Sequence, residues 1–301
     1  MKRVNEDNVK EAMRGGGIKL TLPRFNDELL RKQITWDGWI RWGSFTTLAA
    51  IFVWFIVLNP VLGAGSSGLV MILLIMGWLG LNSINAKTGR ELAQVSMVLD
   101  QDPKRAEGWI ALALARKPLL RWVRLMIYHR LAIVRHREQD FAESAAICRG
   151  VLEYSLGPAE ASRAHLLLIL TEASLEIRDM GTAYSSLSQL YGMKVSLVEA
   201  LQRLSLQIRY EVMTGNYGAA VANIESKLEL VELLPAMQCG IVHRLLAIGA
   251  ERYGDRELAE RLNKRAWLLC GDKVIRGIGE DIANSKGMTM VGGEKGLNLG
   301  K

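Results

Sequence analysis

The sequence predicts an all-α protein: a two-helix transmembrane hairpin followed by an α-solenoid of stacked helix pairs. Three observations predict it. No Asp, Glu, Lys, Arg or His occurs in the 45 residues from 42 to 86. Beyond Lys87, apolar residues recur at helical spacing in helix-sized segments separated by Gly, Pro or Asp, with no strand-like alternation. Four short stretches also look alike: QDFAESA at 139–145, RDMGTAY at 178–184, GNYGAAV at 215–221 and GDRELAE at 254–260.

Residues 1–35 are polar and mixed in charge, with a Gly15-Gly16-Gly17 break and Pro23. They read as a largely disordered tail holding one short helix over 26–33. Residues 36–86 form the hairpin. In WDGWIRW the indoles of Trp36, Trp39 and Trp42 recur every three residues, on one side of a helix, where an aromatic belt at the membrane interface belongs. The first span is expected over 43–62 and the second over 68–84. As helix, 45 residues reach about 67 Å, roughly twice a hydrocarbon core of about 30 Å. A cleaved signal peptide is not expected, because the preceding region is too long and so is the apolar core.

Between the two spans lies LGAGSSG, whose Gly63, Gly65 and Gly68 spell the dinucleotide-binding fingerprint. The flanks exclude that reading. A nucleotide-binding helix is amphipathic, whereas residues 69–81 carry no charge, and the first acid after the loop is Glu91, behind Lys87 and Arg90. The glycines then belong to a tight reversal. Arg31, Lys32 and Arg41 precede the hairpin, Lys87, Arg90, Lys104 and Arg105 follow it, and the connecting loop has no basic residue. The positive-inside rule predicts a two-pass protein of the inner membrane, with both termini and the repeat domain cytoplasmic.

Residues 87–270 form the repeat domain. Pro103, Pro118, Pro158 and Pro235 fall where a first-turn proline is tolerated. Asp140, Asp179, Asn216 and Asp255 stand 39, 37 and 39 residues apart, each suited to cap a second helix. Four residues on, Ser144, Ala183, Ala220 and Ala259 are small enough for close helix approach. From Gly271 the chain turns glycine-rich, eight of 31 residues, and 271–301 reads as a flexible tail.

Here the sequence resembles the tetratricopeptide repeat family. GNYGAA at 215–220 carries the family's Gly-Asp/Asn-aromatic turn and close-packing alanine. Pro103, Trp109, Leu112 and Ala113 match its linking proline and the Trp-x-x-Leu-small step, and Leu131-Ala132 and Leu246-Ala247 match that step again. The resemblance spans residues 89–270. It implies stacked helix pairs whose first helices line a concave wall. Aligning the turns places His165 and Glu172, Gln202 and Arg209, and Arg244 and Glu251 on that wall, either as a partner-binding groove or as a solvated helix face.

Net charge is +7, but nine Lys/Arg against Glu107 between 104 and 137 leave about −1 for the rest of the chain. Within that basic segment Lys117, Arg121 and Arg124 share one face of a helix expected to begin at Pro118. Three readings stay open there: a solvated face, contact with anionic lipid of the bilayer, and, least favoured for want of a binding motif, nucleic acid. Cys148, Cys239 and Cys270 lack C-x-x-C spacing and read as free thiols in a reducing compartment. The four histidines read as helix-surface residues. No nucleophile elbow, H-E-x-x-H or phosphate loop is present, so neither an enzyme nor a cofactor or metal is expected. The combined expectation is a membrane-anchored scaffold holding a protein partner, or alternatively a structural or regulatory subunit of a membrane complex with the hairpin as its interface.

Overall fold

The computed structural model describes residues 24–62, 72, 75–77, 79–80, 83, 86–90, 92, 95, 98–99, 102–115, 118 and 120–289. Among them every regular element is a helix. The chain divides into two compact units, Met1–Ile169 and Leu170–Lys301.

The first unit contains α1 (Asp27–Leu62), α2 (Pro103–Ala115), α3 (Arg121–Arg137), α4 (Phe141–Leu152), a 3-10 turn (Gly157–Ser162) and the start of α5 (Arg163–Glu176). The second contains the rest of α5, then α6 (Met180–Tyr191), α7 (Leu197–Met213), α8 (Tyr217–Val221), α9 (Ile224–Val231), α10 (Ala236–Tyr253), α11 (Arg256–Cys270) and α12 (Asp272–Thr289).

The four look-alike stretches adopt one backbone geometry. Gln139, Arg178, Gly215 and Gly254 are all left-handed, with φ of 63°, 64°, 79° and 104°. The next residue's N–H reaches back five positions: Asp140 to Arg135, Asp179 to Ser174, Asn216 to Glu211 and Asp255 to Ala250, at 2.9, 2.8, 2.8 and 2.9 Å. That is the Schellman closure of the preceding helix. The same Asp then starts the following helix, accepting from the N–H of Glu143 at 3.2 Å, of Thr182 at 3.0 Å and of Leu258 at 3.0 Å. Asn216 makes no such side-chain cap. One residue therefore ends one helix and begins the next, which keeps the hairpin short. The small residues four further on are all buried. Ser144 also donates to the Ala132 carbonyl on α3 at 3.0 Å, so its hydroxyl is satisfied where the other hairpins place alanine.

Local differences have local causes. In the third hairpin the second helix is split: Ala222 is extended, Asn223 is left-handed, and α9 resumes at Ile224. Asn tolerates that conformation better than most side chains. Lys227 binds the carbonyls of Ala219 and Ala220 at 2.7 and 2.9 Å, satisfying acceptors at the end of α8. Pro103 opens α2 as expected, whereas Pro235 is the residue before α10, and α3 begins at Arg121, three residues after Pro118.

Three expectations need correction. The helix expected over 26–33 does start there, with Asn26 accepting from the Leu29 N–H at 2.8 Å, but it runs on to Leu62. Its first turns are not a loose tail: Phe25, Leu30 and Ile34 are buried, and Leu30 lies on Gly150 of α4, where a Cβ would stand 2.4 Å from it. The Phe25 N–H donates to Glu143 at 2.8 Å, and Arg31 pairs with Glu153.

The second correction removes the transmembrane hairpin and, with it, the two-pass inner-membrane localisation. Among the described residues no helix is long and apolar enough to cross a membrane. The expected first span is the distal part of α1, and most of the expected second span lies outside the described residues. Freedom from charge was a weaker signal than apolarity. The uncharged run includes Ser44, Thr46, Thr47, Asn59, Ser66, Ser67, Asn82, Ser83 and Asn85 besides its glycines. The hydroxyls of Thr46 and Thr47 turn back onto the carbonyls of Trp42 and Gly43.

The third correction concerns the end of the chain. Residues 272–289, read as flexible, form α12, which packs on α7, α10 and α11. Ile282 is buried and Ile278 lies against the same core as Val242, Leu246 and Leu262.

Candidate functional site

The residues expected on the wall divide between the two units. In the first, His165 of α5 is half-buried and bonded through Nδ1 to His129 Nε2 of α3 at 2.9 Å, the rings meeting edge to face. Burial first, then the neighbouring His165 and Arg130, lowers the His129 pKa to about 3, so His129 is neutral at pH 7. Two stacked helices are thus joined by a polar contact where two solvated histidines were expected.

In the second unit Arg209 of α7 forms an ion pair with Glu176 of α5 at 2.7 Å, linking the first helices of successive hairpins. Arg244 of α10 donates to Asn263 of α11 at 2.6 Å. Its other terminal nitrogen lies close enough to α12 that a Cβ on Gly279 would stand 3.2 Å away. Burial pushes the Arg244 guanidinium pKa down, opposed by the charge of Glu251, two turns along α10. Glu172 and Gln202 are half-buried and Glu251 is exposed. The two arginines therefore tie helices together, and Glu251 is the wall residue most open to water.

On the expected basic face, Lys117 lies outside the described residues. Arg121 stacks over the Tyr154 ring at 4.6 Å, and burial pushes the Arg124 pKa down beside the fully buried Tyr128. Burial raises the Tyr128 pKa to about 12, with Arg124 opposing. These two arginines pack by their stems and faces, a mode that periodicity alone does not distinguish from a solvated stripe. Trp36, Trp39 and Trp42 are exposed along α1, at 68, 78 and 67%. The membrane span they were expected to border is not among the described helices.

Two features were not foreseen. Arg135 of α3 is buried among three carboxylates: Glu107 of α2 at 2.7 Å, Glu138 at 2.7 Å and Glu143 of α4 at 2.9 Å. Desolvation works against its charge, but Glu138, Glu143 and Glu107 together raise its pKa. Desolvation raises the Glu143 pKa, while the Phe25 N–H and Arg135 favour its charged form. A cation counted among the basic residues is thus neutralised internally. In the second unit, Trp267, Leu268 and Ile275, with Asn263 and Lys264, line an open groove of about 550 Å³. Both Trp267 and Leu268 are exposed.

No family model, curated protein or solved structure matches this chain.

Proposed function

We propose that this chain is a tetratricopeptide-like scaffold that binds a protein partner. The observation that carries the reading is the turn repeated at Gln139, Arg178, Gly215 and Gly254, with the same main-chain bonds and the same buried small residue each time. Stacked hairpins of this kind build long surfaces from rigid helices, and such surfaces serve binding rather than chemistry. The groove at Trp267 and Leu268 supports it, since an exposed Trp is the kind of side chain that anchors protein interfaces.

The test is capture by the full chain against a Trp267→Ser/Leu268→Ser variant with an unchanged thermal melt. A partner enriched by the wild type and lost by the variant supports the reading. Equal recovery by both, or no partner above a mock bait, overturns it.

A further inference from the structure

We propose that Glu232, Cys239 and His243 form a binding site for a thiophilic divalent cation of the zinc class. Cys239 and His243 stand four apart on α10, so both project from one face of a single helix, and Glu232 arrives from the end of α9. One ligand atom from each residue lies within 4.8 Å of the other two. His243 Nε2 and Glu232 Oε1 are already 3.1 Å apart. Two N/O donors of a tetrahedral zinc, each about 2.0–2.1 Å from the metal, stand about 3.3 Å apart. The thiol needs to close by about an ångström, within the range of a χ1 adjustment.

The surroundings suit a cation. Cys239 and His243 are buried. Glu232 is half-exposed, which gives an ion a way in from solvent. Arg265 grips both oxygens of Glu232, its Nε donating to Oε1 at 3.2 Å and a terminal nitrogen to Oε2 at 2.7 Å, which fixes the carboxylate with Oε1 also facing His243. Metal ligands are characteristically oriented by outer partners of this kind. A thiolate, an imidazole and a carboxylate together select zinc or cobalt over magnesium or calcium, whose ligands are oxygens. On binding, the Cys239 thiol gives its proton to solvent as the sulfur–metal bond forms. Three protein ligands leave the fourth position to water.

The test titrates metal-stripped full chain with Co²⁺, following the near-ultraviolet thiolate-to-cobalt absorption and its displacement by Zn²⁺. The expected result is a one-to-one band that Cys239→Ser abolishes and Cys270→Ser, a control at the neighbouring thiol, retains. Glu232→Gln, changed at a half-exposed position that leaves the core untouched, should weaken Zn²⁺ binding at least about tenfold, since losing even a supporting partner commonly costs that much. Zn²⁺ should also raise the melting temperature of the wild type and not that of Cys239→Ser. Absence of a thiolate band in the wild type, its persistence in Cys239→Ser, or its loss in Cys270→Ser would each overturn the site.

Discussion

The two units bury different things. Beside an aliphatic core that includes Ile110, Leu125, Ile127, Leu131 and Ile147, the first buries polar and charged groups: Arg135 with its three glutamates, the His129–His165 pair, and the Phe25 N–H on Glu143, a contact 118 residues apart in sequence. The second closes around a largely aliphatic core built from Leu201, Ile208, Val212, Val242, Leu246 and Leu262, with its helices drawn together at glycine and alanine. Its Arg265–Glu232 pair stays at the surface. The first unit therefore concentrates its buried charge on one arginine, whereas the second buries the Lys227–Glu211 pair at 3.6 Å beside close backbone approach at its glycines. Removing one partner of a buried ionic cluster strands the others, whereas removing a solvated one does not.

The largest expected effect tests the first half of that contrast. Arg135→Met leaves three carboxylates facing one another without their cation and should cost about 3–5 kcal/mol in urea unfolding. Arg265→Met should barely move the midpoint. Similar midpoints for the two variants would break the comparison.

Acid should act through the same buried chemistry. The folded-state pKa of His129 is about 3, below the unfolded value, so the unfolded chain binds the extra proton. Its contribution is fully present above about pH 6.5 and is lost as pH falls, by about 1.4 kcal/mol per unit, or about 2–3 kcal/mol by pH 4.5. His243, pushed down by burial but opposed by Glu232, adds a dependence of the same sign in the second unit. Urea midpoints measured between pH 4.5 and 7 should show a shallower slope for His129→Gln than for the wild type.

Volume should matter more in the second unit. At Gly240 a Cβ would stand 2.3 Å from Cys270 Sγ and 2.9 Å from Leu269 Cβ, close to the α11 backbone. At Gly150 the nearest obstacle is the end of the Leu30 side chain, which can rotate. Gly240→Ala should therefore cost about 1–3 kcal/mol and Gly150→Ala less. The reverse ranking in thermal melts would show that the first unit is the tighter one.

The smallest effect compares caps. Asp255→Ala removes a side-chain bond to the Leu258 N–H and should cost about 1 kcal/mol, with Asp140→Ala and Asp179→Ala similar. Asn216→Ala removes no such bond, so its thermal shift should be the least of the four.

Local chemistry was legible in the sequence and long-range pairing was not. The capping Asp and the small residue four positions on identify each hairpin from a handful of letters. The left-handed residue before the cap is visible only at Gly215 and Gly254. Gln139 and Arg178 adopt it because the surrounding bonds require it. Helix α12 was hidden by Gly277 and Gly279, although Ile275, Ile278 and Ile282 keep helical spacing between and around them. The basic segment was overcounted because it was closed at Arg137: Arg135 pairs with Glu138 and Glu143 just beyond that limit and with Glu107, 28 residues back on α2. Of the wall residues, Arg209 and Arg244 meet Glu176 of α5 and Asn263 of α11, and neither pairing was foreseen. Cys239 and His243 stand at metal-ligand spacing for a helix. A search for C-x-x-C passes over them, and Glu232 joins them only through the turn after α9.

The turn also bears on how such a chain can change over generations. Its closing bonds run from main-chain nitrogen to main-chain oxygen, so they constrain conformation and hardly constrain identity. Gln, Arg, Gly and Gly occupy one position without altering the bonds on either side, and Asn replaces Asp with the loss of a single side-chain contact. Repeats of this construction can drift apart letter by letter while their hairpins stay superimposable in backbone, and the ancestry of a repeat then outlasts the spelling by which it would be found.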